Sequence, residues 1–261
     1  MKRFWTEAGI DRGPEGHAIL LDGKPMRLPG GAVLLVGPPA LAAAIAAEWQ
    51  AAGGAAGGEM SFADTPLTRL AGTAQERIAP DPWPTVDAIA RYGETDLLCY
   101  RAETPAILAR RQHEAWQPWL DWATRTLDAP LRVASGIVAV RQHQSSIAAL
   151  RRAVAGQDAL ALAALGVAVP ALGSLVLGLA LAAGALDAST AHALGALDEL
   201  YQAELWGEDA DALARRQAAA ADIALAERFL ALARGGARPD APEAGGPGAA
   251  GGGDGTWQRN G

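Results

Sequence analysis

Residues 159–186 read ALALAALGVAVPALGSLVLGLALAAGAL and carry no charge. As one helix at 1.5 Å per residue, such a run would cross a bilayer core of about 30 Å. Two features argue against a span. The run is built largely from Ala and Gly, whose burial gains little. Pro170, Gly173 and Ser174 interrupt it near the middle, leaving two pieces of about eleven residues, each too short to span. Asp158 and Asp187 stand at the two ends, where the N-caps of separate helices sit. The stretch is therefore predicted to be a buried helical hairpin, and no membrane span is expected.

Working outward, the flanks are helical too. Asp187 is placed to begin a helix that runs through Trp206 and ends at Gly207, with a final helix over residues 209–233. Upstream, Ser145 is a predicted cap. Residues 131–140 are β-rich, with a short hairpin expected at Ser135-Gly136. Thr104 as N-cap and Pro105 in the first turn predict a long helix carrying Trp116, Trp119, Leu120, Ala123 and Leu127, kinked at Pro118.

Before residue 66 the period changes. Residues 17–21, the Asp22-Gly23 pair and residues 24–28 read as a hairpin, because Asp-Gly supplies the positive φ of a type I′ turn. Pro25 limits the second strand to an edge or to its first residue. Residues 33–36 read as a third short strand. Pro38-Pro39 then opens a helix with Leu41, Ile45 and Trp49 on one face, and Gly-rich residues 53–58 read as a flexible connection. The fold class is α+β: a small β-rich N-terminal domain (1–65), a larger mainly helical domain (66–234), and a Gly/Pro/Ala-rich disordered tail (235–261).

Composition narrows the function. The chain of 261 residues is half hydrophobic, with a formal charge of −7. That balance argues against a nucleic-acid surface, which needs a basic stripe. The lone Cys99 excludes a disulfide framework and a cysteine-rich zinc site. The N-terminus, Met1-Lys2-Arg3-Phe4-Trp5, has neither an apolar signal core nor a transit segment, so synthesis and use in one compartment are expected.

Motifs for chemistry are sparse. No pair among His17, His113, His143 and His192 has the spacing of a helical metal site. Residues 53–58 lack the Gly-Lys-Ser/Thr of a P-loop, and Gly173-Ser174 is only half of a nucleophile elbow. No cofactor and no metal are expected, and the chain is not expected to be an enzyme. The alternative is an enzyme with an unrecognised site near Cys99 and the acidic helix at 198–209. Interaction fits better. There are eight Trp against three Phe and three Tyr, and Trp116, Trp119 and Trp122 drift by about 60° per step around a helix. Three indoles across that arc exceed the needs of one packing face: they either pack against two different neighbours or leave one at a partner surface.

Several strings, in order, resemble a known family. They are Arg3-Phe4-Trp5, Leu21-Asp22-Gly23-Lys24, LAAAIAAEW over residues 41–49, and Pro66-Leu67-Thr68-Arg69-Leu70-Ala71. Thr95-Asp96-Leu97-Leu98-Cys99-Tyr100-Arg101 follows, then Arg111-Gln112, Trp116, Pro118 and Asp121-Trp122. Gly173-Ser174-Leu175-Val176-Leu177, Leu197-Asp198-Glu199-Leu200-Tyr201-Gln202 and Trp206-Gly207 complete the series. Together they resemble the ATP synthase assembly factors of the Atp-twelve family, over roughly residues 3–233. Residues 53–58 depart from it, being Gly-rich where relatives are usually more polar.

The resemblance implies a two-domain α+β chaperone. It would hold the free alpha subunit of the F-type ATP synthase and release it to the beta subunit. It implies a monomer in the bacterial cytoplasm, or in the mitochondrial matrix of a eukaryote. It also implies that a glutamate of the acidic helix matters, and Glu199 is the match. Asp198 and Trp122 join it as partner-binding candidates. Trp49 matches another family tryptophan, and its amphipathic context marks it as structural. Asp96 and Arg101 are expected to make structural polar contacts that orient the two domains.

Overall fold

The structure, a computed structural model, describes residues 2–136 and 140–235. The first strands form where short β-favouring runs are separated by turn residues that tolerate positive φ. Strand β1 (Ala8–Gly13) pairs antiparallel with β2 (Gly16–Leu21), Ala8 opposite Leu21 and Gly13 opposite Gly16. Asp22 and Gly23, at φ 49° and 73°, turn β2 into β3 (Lys24–Pro25) in the manner expected of Asp-Gly. Strand β4 (Leu35–Val36) pairs with β2 at His17 and Ala18.

Helix α1 (Pro39–Ala51) packs against the sheet and buries Leu41, Ile45 and Trp49. Residues 53–58, expected as a flexible connection, instead close on the buried Arg3. Arg3 N–H donates to the Gly58 carbonyl and Gly57 N–H to the Arg3 carbonyl. The Arg3 guanidinium donates to the carbonyls of Gln50, Ala52 and Gly54. A desolvated guanidinium needs such acceptors, and the positive φ of Gly53 and Gly54 lets the chain wrap it.

The helical region is joined to this unit at α2 (Pro66–Thr73), which has no side-chain cap of its own. Glu48 supplies one from α1. Its carboxylate accepts the Leu67 and Thr68 N–H groups and the Thr68 hydroxyl at 2.8–3.1 Å, satisfying donors that every helix start leaves free. Burial pushes the Glu48 carboxyl above its ordinary pKa, opposed by those same hydrogen bonds. Next to it, Trp49 Nε1–H donates to Thr68 Oγ1 at 2.8 Å.

Helix α3 (Trp83–Ala90) and strand β5 (Tyr100–Arg101) lead to α4 (Ala106–Leu127). Thr104 is not its cap. Pro105, extended at φ −76°, holds the N-cap position, and α4 continues through Pro118. The hairpin expected over residues 131–140 is replaced by a parallel pair. Strand β6 (Ala134–Ser135) lies beside β5, and Gly136 N–H donates to the Arg101 carbonyl; residues 137–139 lie outside the described residues. Helix α5 (Gln144–Ala155) starts from His143 rather than Ser145. The Gln142 side chain, hydrogen-bonded to both backbone groups of Arg132, sets the chain's approach there.

The apolar run folds as α6 (Ala159–Leu172) and α7 (Leu175–Ala182), a buried hairpin. Asp158 caps α6 and Ser174 caps α7. Pro170 does not break the run. It lies in the last turn of α6, where its missing N–H forfeits a single bond, and the reversal comes at Gly173 with φ 63°. Gly178 gives α7 its close approach to α6: a Cβ there would run into Val169 Cγ2. Among the described residues no helix is long and apolar enough to cross a membrane.

The helix expected over 187–206 is two helices, α8 (Ala188–Gly195) and α9 (Leu197–Trp206), divided at Ala196. Gly195 sits against the Leu172 backbone at the end of α6, and the chain redirects there. Asp187 caps α8 through the Thr190 N–H and the Ser189 and Thr190 hydroxyls, which hold its carboxyl down at about 2. Gly207 ends α9, and Asp209 caps α10 (Ala210–Ala233), which packs along α6 and α8. Buried residues from Trp5 to Leu230 form one continuous cluster. The tail expected to be disordered lies, from residue 236 on, outside the described residues.

Candidate functional site

Helix α9 lies at the edge of the helical body, and Tyr201 is its one fully buried side chain. Leu205, which continues the four-residue spacing of Leu197 and Tyr201, is 55% exposed, and the neighbouring Trp206 is 79% exposed. The break at Ala196 explains this. Redirecting the chain after α8 carries the end of α9 away from the core that the same period would otherwise have met.

One side of α9 is tied to α4. Asp198 Oδ1 accepts from Gln112 Nε2 at 2.7 Å, and Gln112 Oε1 in turn accepts the Ala102 N–H. The Arg101 guanidinium donates to the Gln112 carbonyl and lies 5.1 Å from the Trp116 ring. Arg111 pairs with Glu204 at 2.6 Å and sits over the Tyr201 ring. Trp116 Nε1–H donates to the Leu194 carbonyl at 2.9 Å. Asp198 thus faces inward, toward a relay that ends at Arg101. Burial pulls the Arg101 guanidinium below its usual pKa.

The other side faces α10. Glu199, next in sequence and about 100° around the helix, points its carboxylate at Arg216, with Oε2 3.8 Å from Nη1. Arg216 is only 7% exposed and donates from Nη2 to both Glu208 oxygens at 2.8 Å. Glu199, Trp206, Glu208 and Arg216 line one groove, about 570 Å³ in volume, between α9 and α10.

The other sequence-derived candidates lie apart from this groove. Trp122 is half-buried, with its ring 6.5 Å from Trp119. It stands about 15 Å of helix beyond Gln112. Asp96 is fully buried and accepts from Leu98 N–H, Ser174 Oγ–H and Val176 N–H. It ties the turn at Leu97–Cys99 to the start of α7, and burial lifts its carboxyl to about 6. The hydrogen bonds of Asp96 and Arg101 stay within the helical region, and the side-chain bonds from α1 to α2 come from Glu48 and Trp49.

Cys99 is completely buried, and its thiol is pushed up to about 12, chiefly by burial and then by the Asp96 charge. A thiol so placed is a poor nucleophile. Among the described residues no group of three or more His, Cys, Asp or Glu is arranged to hold a metal ion. Sequence reasoning missed Trp206, Arg216, Gln112 and Glu48. Only Trp206 carried a local signal, a large indole set between Glu204 and Glu208 at a helix end, where a core position is improbable.

The α+β fold has counterparts among solved structures. The crystal structure of Atp12 from Paracoccus denitrificans is 43% identical, covers 89% of this chain and 98% of its own, and superposes with a TM-score of 0.84. An aspartate-to-lysine variant of that protein matches equally. A chaperone candidate from Agrobacterium tumefaciens is 38% identical over 88% of this chain and 85% of its own, with a TM-score of 0.81. The family model described as ATP12 chaperone protein matches residues 2–124. The chain belongs to the ATP12 chaperone family.

Proposed function

We propose that this chain binds the free alpha subunit of the F-type ATP synthase, keeps it from aggregating and passes it to the beta subunit. The observation that carries the reading is the pair Leu205 and Trp206, left open to solvent within a rim of carboxylates. An isolated alpha subunit exposes the face that beta later covers, and an uncovered apolar patch of that kind invites self-association. A chaperone must cover it and still let go. A surface that mixes an aromatic anchor with charges favours specific but reversible contact over a large dry interface.

Within this reading Glu199 touches the client, and Asp198 works behind it by fixing α9 to Gln112. Trp122 makes a second, separate contact from α4. Trp49, Asp96 and Arg101 hold the scaffold. The protein acts as a monomer in the cytoplasm of a bacterium.

Co-expression tests the reading. With this chain present, the alpha subunit should stay soluble and be retained on the tagged chaperone, and added beta subunit should displace it. An alpha subunit whose solubility is unchanged and which is not retained would refute the assignment.

A further inference from the structure

The groove between α9 and α10 has a specific charge pattern. Residues 198–211 contain six carboxylates and neither lysine nor arginine. Four of the six are engaged: Asp198 by Gln112, Glu204 by Arg111, Glu208 by Arg216, and Asp209 by the Ala212 N–H it caps. Glu199 has only the 3.8 Å approach to Arg216, which Glu208 already holds more closely. Asp211 has no partner among the described residues. Among the residues lining the groove, Glu199, Glu208 and Asp209 outnumber Arg215 and Arg216, so the rim keeps a net negative charge.

The aromatics give an independent sign. Four rings carry an arginine of the chain's own: Arg3 over Trp5, Arg101 over Trp116, Arg111 over Tyr201 and Arg151 over Trp83, at 5.1–5.4 Å. Trp206, the most exposed aromatic ring among the described residues, has none. Its indole stands in the groove with Glu199 and Glu208. A negative π-face beside carboxylates is the environment that a guanidinium seeks, because it stacks on the ring and donates to oxygens in the same plane.

We propose that Trp206, with Glu199 and Glu208, forms a receptor for an arginine side chain projecting from the client protein. The inference rests on the chaperone reading for its choice of a protein client. The guanidinium stacks on the Trp206 indole and donates to the Glu199 carboxylate, whose hold on Arg216 is loose enough to yield. Glu208 stays with Arg216 and supplies field rather than a direct bond. Ala203 and Ala212, which also line the groove, give the arginine's aliphatic stem apolar neighbours. The competing occupant of the groove is a purely apolar knob, which needs Trp206 but not the carboxylates.

The test uses the full chain labelled with 15N, whose Trp206 indole N–H signal is assigned by its loss in Trp206→Phe. The probe is the blocked peptide acetyl-Gly-Gly-Arg-Gly-Gly-amide, compared with the same peptide bearing neutral citrulline. The arginine peptide should shift the Trp206 signal, the citrulline peptide should do so far less, and about 0.5 M salt should suppress the shift. In Glu199→Gln the apparent affinity should fall roughly threefold, as for an exposed ion pair. Equal shifts from both peptides, or no shift at Trp206, would overturn the proposal.

Capture of alpha subunit keeps the two readings separate. Trp206→Ala should weaken it about tenfold, with Trp206→Phe intermediate. Full capture by Trp206→Ala would end the arginine receptor, and the chaperone reading would then rest on Leu205 and the carboxylate rim without Trp206. A peptide response without alpha capture by the parent chain would do the reverse.

Discussion

Glu199 and Arg216 approach to 3.8 Å across the corner of α9 and α10, although the glutamate side chain is 55% exposed and the arginine side chain only 7%. The pair is asymmetric: Arg216 already has its two bonds to Glu208, whereas Glu199 gives up little by turning elsewhere. Charge removal at the two positions should therefore differ. Glu199→Gln is expected to change stability by no more than about 0.5 kcal/mol. Arg216→Ala, which deletes packed stem and leaves Glu208 without its cation, should cost about 1–3 kcal/mol. Urea unfolding of the two variants checks the contrast, and equal losses would contradict it.

Trp49→Ala should lower stability by about 3–5 kcal/mol, because it empties a buried site and removes one of the two hydrogen bonds through which the Thr68 hydroxyl joins α2 to α1. Thermal melting tests this, and a variant as stable as the parent would place the residue's importance elsewhere.

Asp96 gives a pH signature. Its folded pKa, about 6, lies above the unfolded value of about 3.9, so the native state binds more protons between those limits. The Asp96 contribution to stability is then fully present below about pH 4 and lost as pH rises through about 6. Asp187, lowered to about 2, works in the opposite sense and only at more acid pH. In melts from pH 4 to 7.5, the parent should lose stability relative to Asp96→Asn as pH rises. Parallel curves would remove Asp96 as the source.

The hairpin of α6 and α7 is sensitive to volume at one atom. Gly178→Ala puts a methyl group against Val169 and should destabilise by about 1–3 kcal/mol despite the gain in helix propensity. Denaturant midpoints would show it, and a more stable variant would mean that α7 can shift away freely.

Local chemistry made some of these features readable in advance. The Asp22-Gly23 turn and the caps at Asp158 and Asp187 each depend on one or two residues and their neighbours. The hairpin at 159–186 announced itself by Gly173-Ser174 within a charge-free run. What could not be read was set by contacts distant in sequence. Glu48 caps a helix that begins at Pro66, and Gly136 is drawn to Arg101 rather than into its own hairpin. The helix expected to run unbroken to Trp206 gives way where Gly195 meets Leu172. That break exposes Leu205 beside Trp206, which the helical period alone could not show. Glu199 was placed by family resemblance, whereas its partner Arg216 comes from the next helix.

In the proposed function the acidic edge of α9 holds the alpha subunit. The most direct measurement is capture of co-expressed alpha subunit by Glu199→Lys, compared with the parent chain at matched melting temperature. The account predicts a normally folded variant that loses most of the soluble alpha subunit, by about 2 kcal/mol or more of binding if the charge pairs within the interface. Undiminished capture by a folded Glu199→Lys chain would contradict it.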